Sequence, residues 1–350
     1  MLAPRFFCVS SRSALRAARC AHALVLALPF AAMAVGCGPR SRTGSAGSAD
    51  AGAPASSSQA PPLWSAPAPV AFGEPDDGGA EGGAAPAIPS APAPARLACP
   101  RGMLAVQASF CIDKWEASLV DKTTGLALSP YYPPDRRLAI QIAETWEKQR
   151  QEIGSEHARQ IPLPPLPEWQ RRREVDPVAV SRAGVIPNGY VSGVMAERAC
   201  ANAKKRLCRY DEWLTACEGE ARRQFPYGTE YRQGACNIFR AIHPALELHG
   251  NASLGHLDPR LNLVREESGD PLLRRTGATP ACKSEWDGEA AWDMNGNLDE
   301  WVDDEKGRFV GGFFSRSKRD GCESSVSAHP KAYLDYSTGV RCCWSPDDAP

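Results

Sequence analysis

Asp293-Met-Asn-Gly-Asn-Leu-Asp-Glu-Trp301 sets a tight-turn signal, Asn295-Gly296-Asn297, between acidic residues and ends on a tryptophan. Asparagine and glycine are the residues that accept the left-handed backbone such a turn needs. Further out lie segments of similar character. Before it come Phe110-Cys-Ile-Asp-Lys-Trp-Glu-Ala-Ser118, Lys205-Arg-Leu-Cys-Arg-Tyr-Asp-Glu-Trp213 and Phe225-Pro-Tyr-Gly228. After it come Gly311-Gly312 and Gly339-Val-Arg-Cys342. Within the second of these, Lys205 and Arg206 beside Asp211 and Glu212 predict a charged network over a packed Trp213, with plain surface charge the alternative. Lys204 reads as plain surface charge.

The cysteines show what holds such a chain together. Of thirteen, Cys8, Cys20 and Cys37 lie near the N-terminus. Cys99, Cys111, Cys200, Cys208, Cys217, Cys236, Cys282, Cys322, Cys342 and Cys343 remain, an even number in a chain with an export-type start. That pattern argues for disulfides. Zinc is the competing reading, but there is no Cys-x-x-Cys and no histidine at ligand spacing. Cys99 and Cys111 sit close enough in sequence to staple a hairpin around Met103 to Ile112, a β-prone stretch.

Residues 1–36 carry Arg5, Arg12, Arg16 and Arg19, no acid, and an almost wholly apolar or small run from Ala21 to Gly36. A basic start, a short apolar core and small residues read as a secretory signal, too short to span about 30 Å of hydrocarbon as a permanent helix. The Gly36-Cys37 junction resembles the lipobox of bacterial lipoproteins, with Ala34 where that motif prefers leucine. Lipidation at Cys37, and hence membrane attachment at the cell envelope, is the preferred expectation; cleavage with an incidental thiol is the alternative. Residues 37–96 are mostly Gly, Ala, Pro and Ser, a composition that cannot bury enough surface to offset chain entropy, so a disordered tether is expected. A single compact domain is expected over 97–346, with a Pro-rich insert at about 120–180.

Within that domain, Leu138 to Ile153 predicts a half-exposed helix through Ile140, Ile142, Ala143 and Trp146. Ile161 to Pro167 must be extended because of its prolines. Ser192 is placed to cap a helix through Val194, Ala196 and Ala199, and Tyr210-Asp211-Glu212 to open another. Beyond Tyr227 loops and short strands dominate. The net charge is −1, and removing the four signal arginines leaves −5, so no nucleic-acid footprint is present. Arg171 to Arg173 reads as a solvated loop. His243, His249, His256 and His329 read as exposed or turn-located residues. No phosphate loop, Gly-x-Ser-x-Gly or His-Glu-x-x-His motif occurs.

Taken in order from Phe110 to Cys342, the quoted segments resemble the formylglycine-generating, or sulfatase-modifying factor, family. The resemblance implies an α+β fold, compact, loop-rich and related to the C-type lectin fold. It also implies Cys200–Cys342 and Cys217–Cys322 bridges, with Cys208, Cys236, Cys282 and Cys343 forming two more in an order left open. It places a structural Ca²⁺ at Asp293, Gly296, Leu298 and Glu300, whose carboxylates and carbonyls are the hard oxygen donors Ca²⁺ prefers. Loop hydrogen bonding is the alternative for Asp293 and Glu300. The resemblance also implies that Arg206 forms a buried structural ion pair, strong in bidentate geometry. Part of a second site falls at Asn237 and Ile238, with Asp270 a poorly aligned further ligand.

The catalytic segment departs from the family. Active members follow the Gly-Gly pair with a serine and two cysteines, five apart, that bind Cu(I) and activate O₂, since soft thiolates suit monovalent copper. Here those positions are Arg316 and Gly321, Cys322 comes one residue late, and the active-site tryptophan becomes Asp299. Neither copper nor haem is therefore expected. Two functions follow. One is an exported, non-catalytic module whose loops bind a protein, peptide or glycan. The other is an oxidoreductase of the formylglycine-generating or non-haem-iron type with a displaced site.

Overall fold

The computed structural model describes residues 97–316 and 318–348. The signal segment, Cys37 and the tether lie outside them. The chain opens with β1 (Met103–Val106) and β2 (Phe110–Asp113), an antiparallel hairpin in which Ala105 faces Cys111. β3 (Ala117–Asp121) follows, then three helices: α1 (Arg136–Gln149), α2 (Glu156–Gln160) and α3 (Glu168–Arg172). β4 (Pro177–Ser181) returns to pair antiparallel with β3. The Pro-rich insert therefore leaves and re-enters the fold through one two-stranded ladder.

α4 (Gly193–Asn202), β5 (Arg206–Leu207), α5 (Tyr210–Glu218) and α6 (Pro244–His249) come next. β6 (Lys283–Trp286) and β7 (Glu289–Trp292) form a hairpin. The chain ends through β8 (Asp299–Val302), β9 (Arg308–Val310), β10 (Ser325–Val326), β11 (Thr338–Val340) and β12 (Cys342–Trp344). Two four-stranded sheets result, in the orders β1-β2-β12-β5 and β10-β9-β8-β11, and β8 and β11 run parallel. This is an α+β fold.

Local chemistry explains the helix starts. The Ser192 side chain accepts the Met195 N–H, and Asp135 caps α1 through the Leu138 N–H. Glu212 folds back onto the Arg209 N–H at the start of α5. The sequence places α1 two residues late at its start and does not foresee α2, α3 or α6. The segment Ile161 to Pro167 carries no helix or strand, and Ile161 opens it with extended backbone angles. Arg171 and Arg172 form the last turn of α3 and not a loop, where their charge opposes the negative end of the helix dipole.

Successive strand residues point to opposite faces, and β12 turns that rule into cross-linking. Cys343 enters an apolar cluster with Leu104, Ile112, Trp213, Met294 and Val310. Its neighbour Cys342 enters another, with Leu119, Val191, Trp301, Phe309 and Val340. Cys342 bridges Cys200 on α4, and Cys343 bridges Cys208 just before α5. The other bridges are Cys99–Cys111, Cys217–Cys322 and Cys236–Cys282. All ten cysteines of the described residues are paired, a chemistry that belongs to an oxidising compartment. Among the described residues no helix is long and apolar enough to cross a membrane.

Candidate functional site

The 293–301 segment is a buried hub. Asp293, Gly296 and Asn297 all take positive φ, at 59°, 94° and 64°. Gly296 has no substitute, because a Cβ there would lie 2.3 Å from the Asn237 carbonyl oxygen. The flanking asparagines hold the turn. Asn295 donates to the carbonyls of Gly311 and Gly321, while Asn297 donates to Glu116 and accepts from Arg274 N–H and Asn237 Nδ2. A turn was legible from Asn-Gly-Asn; that both amide side chains point inward was not.

Beneath the turn lie three buried carboxyls, Glu116, Asp293 and Glu300, of which Glu300 pairs with the fully buried Arg341. Arg341 donates from Nε to both Glu300 oxygens, at 3.0 and 2.9 Å, and from Nη2 to Oε1 at 2.8 Å. Its remaining N–H groups reach the carbonyls of Asp113 and Trp292 at 2.8 and 2.7 Å. Trp213 Nε1 adds a 2.6 Å bond to Glu300. Burial, reinforced by Asp293 and Glu300, pushes Glu116 well above its ordinary value, and burial pushes Asp293 up to about 6.

This donor set does not fit Ca²⁺ at Asp293, Gly296, Leu298 and Glu300. Both Glu300 oxygens are engaged by Arg341, and Asp293 Oδ2 accepts the Gly277 N–H at 2.7 Å. A calcium ion would have to displace a guanidinium that already supplies the positive charge. At the second position Asn237 Oδ1 accepts from Arg240 Nε at 2.8 Å, and the Asn237 carbonyl accepts the Asn297 N–H. Ile238 packs with the Cys236–Cys282 bridge, and Asp270 is an exposed residue 4.0 Å from Arg274. Among the described residues no group of three or more metal-type side chains converges.

The charged network beside Trp213 is also rearranged. Arg206 is bidentate to Glu212, at 2.7 and 2.8 Å, as expected, but only Glu212 is buried; the Arg206 side chain stays partly exposed. Lys205 turns the other way and pairs with buried Asp113 at 2.5 Å, and Asp211 stays exposed. Asp113 and Glu116 both sit in the quoted Phe110–Ser118 stretch, yet nothing local marks them, since their partners lie 92 and 181 residues away.

The positions that correspond to the family's catalytic segment form a second cluster. Gly311 and Gly312 turn the chain at φ 87° and 77°, and Phe313-Phe314 pack against Tyr336. Arg316 then donates to Asp299, a fully buried carboxyl, with its guanidinium also 5.1 Å over the Phe313 ring. Burial raises Asp299 to about 7 against the pull of Arg316, and Asp335 adds to the rise. Its Oδ1 is buried without a hydrogen-bond partner. Tyr333 donates to Asp335 at 2.6 Å, and Asp335 also accepts from Ser337. His243 approaches Tyr336, and burial depresses its basicity.

Copper does not fit here. The first thiolate position is a guanidinium in an ion pair, and Cys322 is spent in its bridge to Cys217. Two histidines differ from the expected exposed or turn setting: His243 is half-buried at the N-cap of α6, with its Nδ1 buried. His249 is neither exposed nor in a turn; it closes α6 and lies buried 3.2 Å from Asp258, whose other partner is the buried Arg260.

No family model and no curated protein matches the sequence. Among solved structures, the Major Tropism Determinant U1 variant superposes at TM-score 0.36 and 14% identity, over 71% of this chain and 54% of that one. The match thus spans about half of that structure's length. PvdO from Pseudomonas aeruginosa aligns at TM-score 0.32 and 13% identity, over 67% of this chain and 80% of that chain. CarF aligns at 0.29 and 12%, over 67% of this chain and 86% of that chain.

Proposed function

We propose that this protein is an exported, non-catalytic binding domain, attached to the cell envelope through a lipid on Cys37 and presenting its loops to a ligand. The observation that carries the reading is the Arg316–Asp299 pair together with the bridged Cys322. In a domain resembling the formylglycine-generating family, the sites of copper chemistry are occupied by groups that satisfy one another. What surrounds them is scaffold: five bridges and a buried acid–guanidinium hub that hold long loops in place, as binding loops require. The basic, apolar and Gly-Cys start supports export and anchoring.

The test is metal and oxygen chemistry on the native protein. After equilibration with Cu(I) or Fe(II) and desalting, the account expects neither metal at stoichiometric level and no oxygen uptake with cysteine-containing peptides. Stoichiometric copper or iron with oxygen consumption would restore the oxidoreductase reading.

A further inference from the structure

Loops bearing the segment 262–278 enclose a cleft of about 540 Å³ against the start of the insert, within the range of about 300–1,000 Å³ usual for small-ligand sites. Its lining brings three guanidinium groups together, Arg265, Arg274 and Arg275, with Asp270 the one acid among them. Two are held in place from behind: Arg265 donates to the Gly269 carbonyl at 2.6 Å and Arg275 to the Gly184 carbonyl at 2.9 Å. Both lower the Tyr131 pKa, which burial otherwise raises, so their charge reaches the phenol across the cleft. Deeper in the wall, Asn262 is 3% exposed and donates through Nδ2 to the Tyr336 carbonyl. Its Oδ1 is buried and accepts nothing.

A second depression, about 390 Å³, adjoins the first and shares Arg275 and Ala278 with it. Two half-buried tryptophans, Trp115 and Trp292, line it. Gly277, at φ 75°, carries the chain past the edge of Trp115, where even a Cβ would sit 3.4 Å from Nε1. Lys283 lies 5.7 Å from the Trp292 ring centre, its charge paired with Glu285 at 2.9 Å.

We infer that this double cleft binds an acidic oligosaccharide, one whose rings carry carboxylate groups, and the inference rests on the binding-domain reading above. Guanidinium groups pair bidentately with carboxylates. Aromatic side chains offer flat apolar faces to the C–H side of sugar rings while tolerating water at their edges. The arginines of the first depression and the tryptophans of the second, joined at Arg275, suit a polymer that carries both sugar rings and carboxylates.

The experiment is calorimetric titration of the full-length protein, in detergent, with hexagalacturonate, neutral maltohexaose and hexaglutamate. Hexagalacturonate is expected to bind, to weaken with added salt and to bind at least about tenfold more tightly than either control. Arg265→Gln combined with Arg275→Gln, both exposed in the free protein, is expected to cost about tenfold or more. Trp292→Ala is expected to weaken hexagalacturonate binding as well, with the five disulfides retained in each variant. Absent binding, binding indifferent to the arginine substitutions, or equal binding of hexaglutamate would each overturn the inference, the last in favour of an acidic peptide. If binding is absent while copper and iron are also absent, this inference falls and the binding-domain reading stands. Stoichiometric metal with oxygen uptake removes both.

Discussion

The motif-bearing core and the insert between β3 and β4 are stabilised by opposite means. The core concentrates all five disulfides and the Glu116–Asp293–Glu300–Arg341 cluster, with partners separated by as much as 228 residues. The insert has no cysteine. Its longest helix, α1, packs through Ala139, Ile142, Ala143 and Trp146 on Tyr132 and Leu166, while Ala158 of α2 joins Tyr190, Leu248 and Leu261, and Trp169 of α3 packs on the cluster of Leu119 and Trp301; Leu257 and His249 also touch the α1 cluster. Buried charge in the core demands that every partner be present, whereas apolar packing in the insert degrades gradually. The core is therefore the brittle region and the insert the tolerant one.

Arg341→Met gives the largest effect. It strands buried carboxyls without their cation and is expected to cost about 3–5 kcal/mol in reversible denaturation under oxidising conditions. A loss below about 1 kcal/mol would show that the hub is not what holds the core. Trp146→Ala is expected to act locally. Amide exchange should accelerate in α1 to α3 while β8 and β11 keep their protection. Uniform acceleration through both regions would mean that the insert and the core unfold as one unit.

A smaller effect, tied to pH, concerns Asp299. Its folded pKa of about 7 lies above the unfolded value near 3.8. Between those values the folded protein holds a proton that the unfolded chain has released, so stability from this group is present at low pH and declines as pH rises toward 7. Asp299→Asn mimics the protonated form. Relative to wild type it is expected to gain stability progressively from pH 4 to pH 7, read as the difference in melting temperature. A constant difference across that range would place the Asp299 pKa near its ordinary value.

Chelation marks the small end of the series. With Arg341 already engaging Glu300, EDTA is expected to shift the melting temperature by no more than about 1 °C, since a ligand that is not bound contributes nothing by mass action. A fall of several degrees, reversed by calcium and absent in Glu300→Gln, would return the hub to a metal site.

What the sequence disclosed divides along the same line as the stability. Elements fixed by neighbours were readable: the hairpin around Cys111, the Ser192 cap, the α5 start at Tyr210, and α1 from the spacing of Ile142 and Trp146. The pairings Cys200–Cys342 and Cys217–Cys322 followed from the family likeness and are the ones formed. Contacts fixed by distant partners were not readable. Lys205 chose Asp113 over the adjacent Asp211, and Glu300 met Arg341, because burial and not sequence proximity selects the partner of a charge. The arginine-lined cleft was missed for the same reason. Arg265, Arg274 and Arg275 are unremarkable in a charged loop until Tyr131, more than 130 residues earlier, closes the opposite wall.

The central claim is that Cys322 is structural and unavailable for copper. Mass mapping of peptides from the native protein, digested without reduction after rapid alkylation, tests it most directly. The account expects Cys322 to be recovered joined to Cys217, with no alkylated form at either position. An alkylated Cys322, and a Cys217 found free or bridged elsewhere, would contradict it.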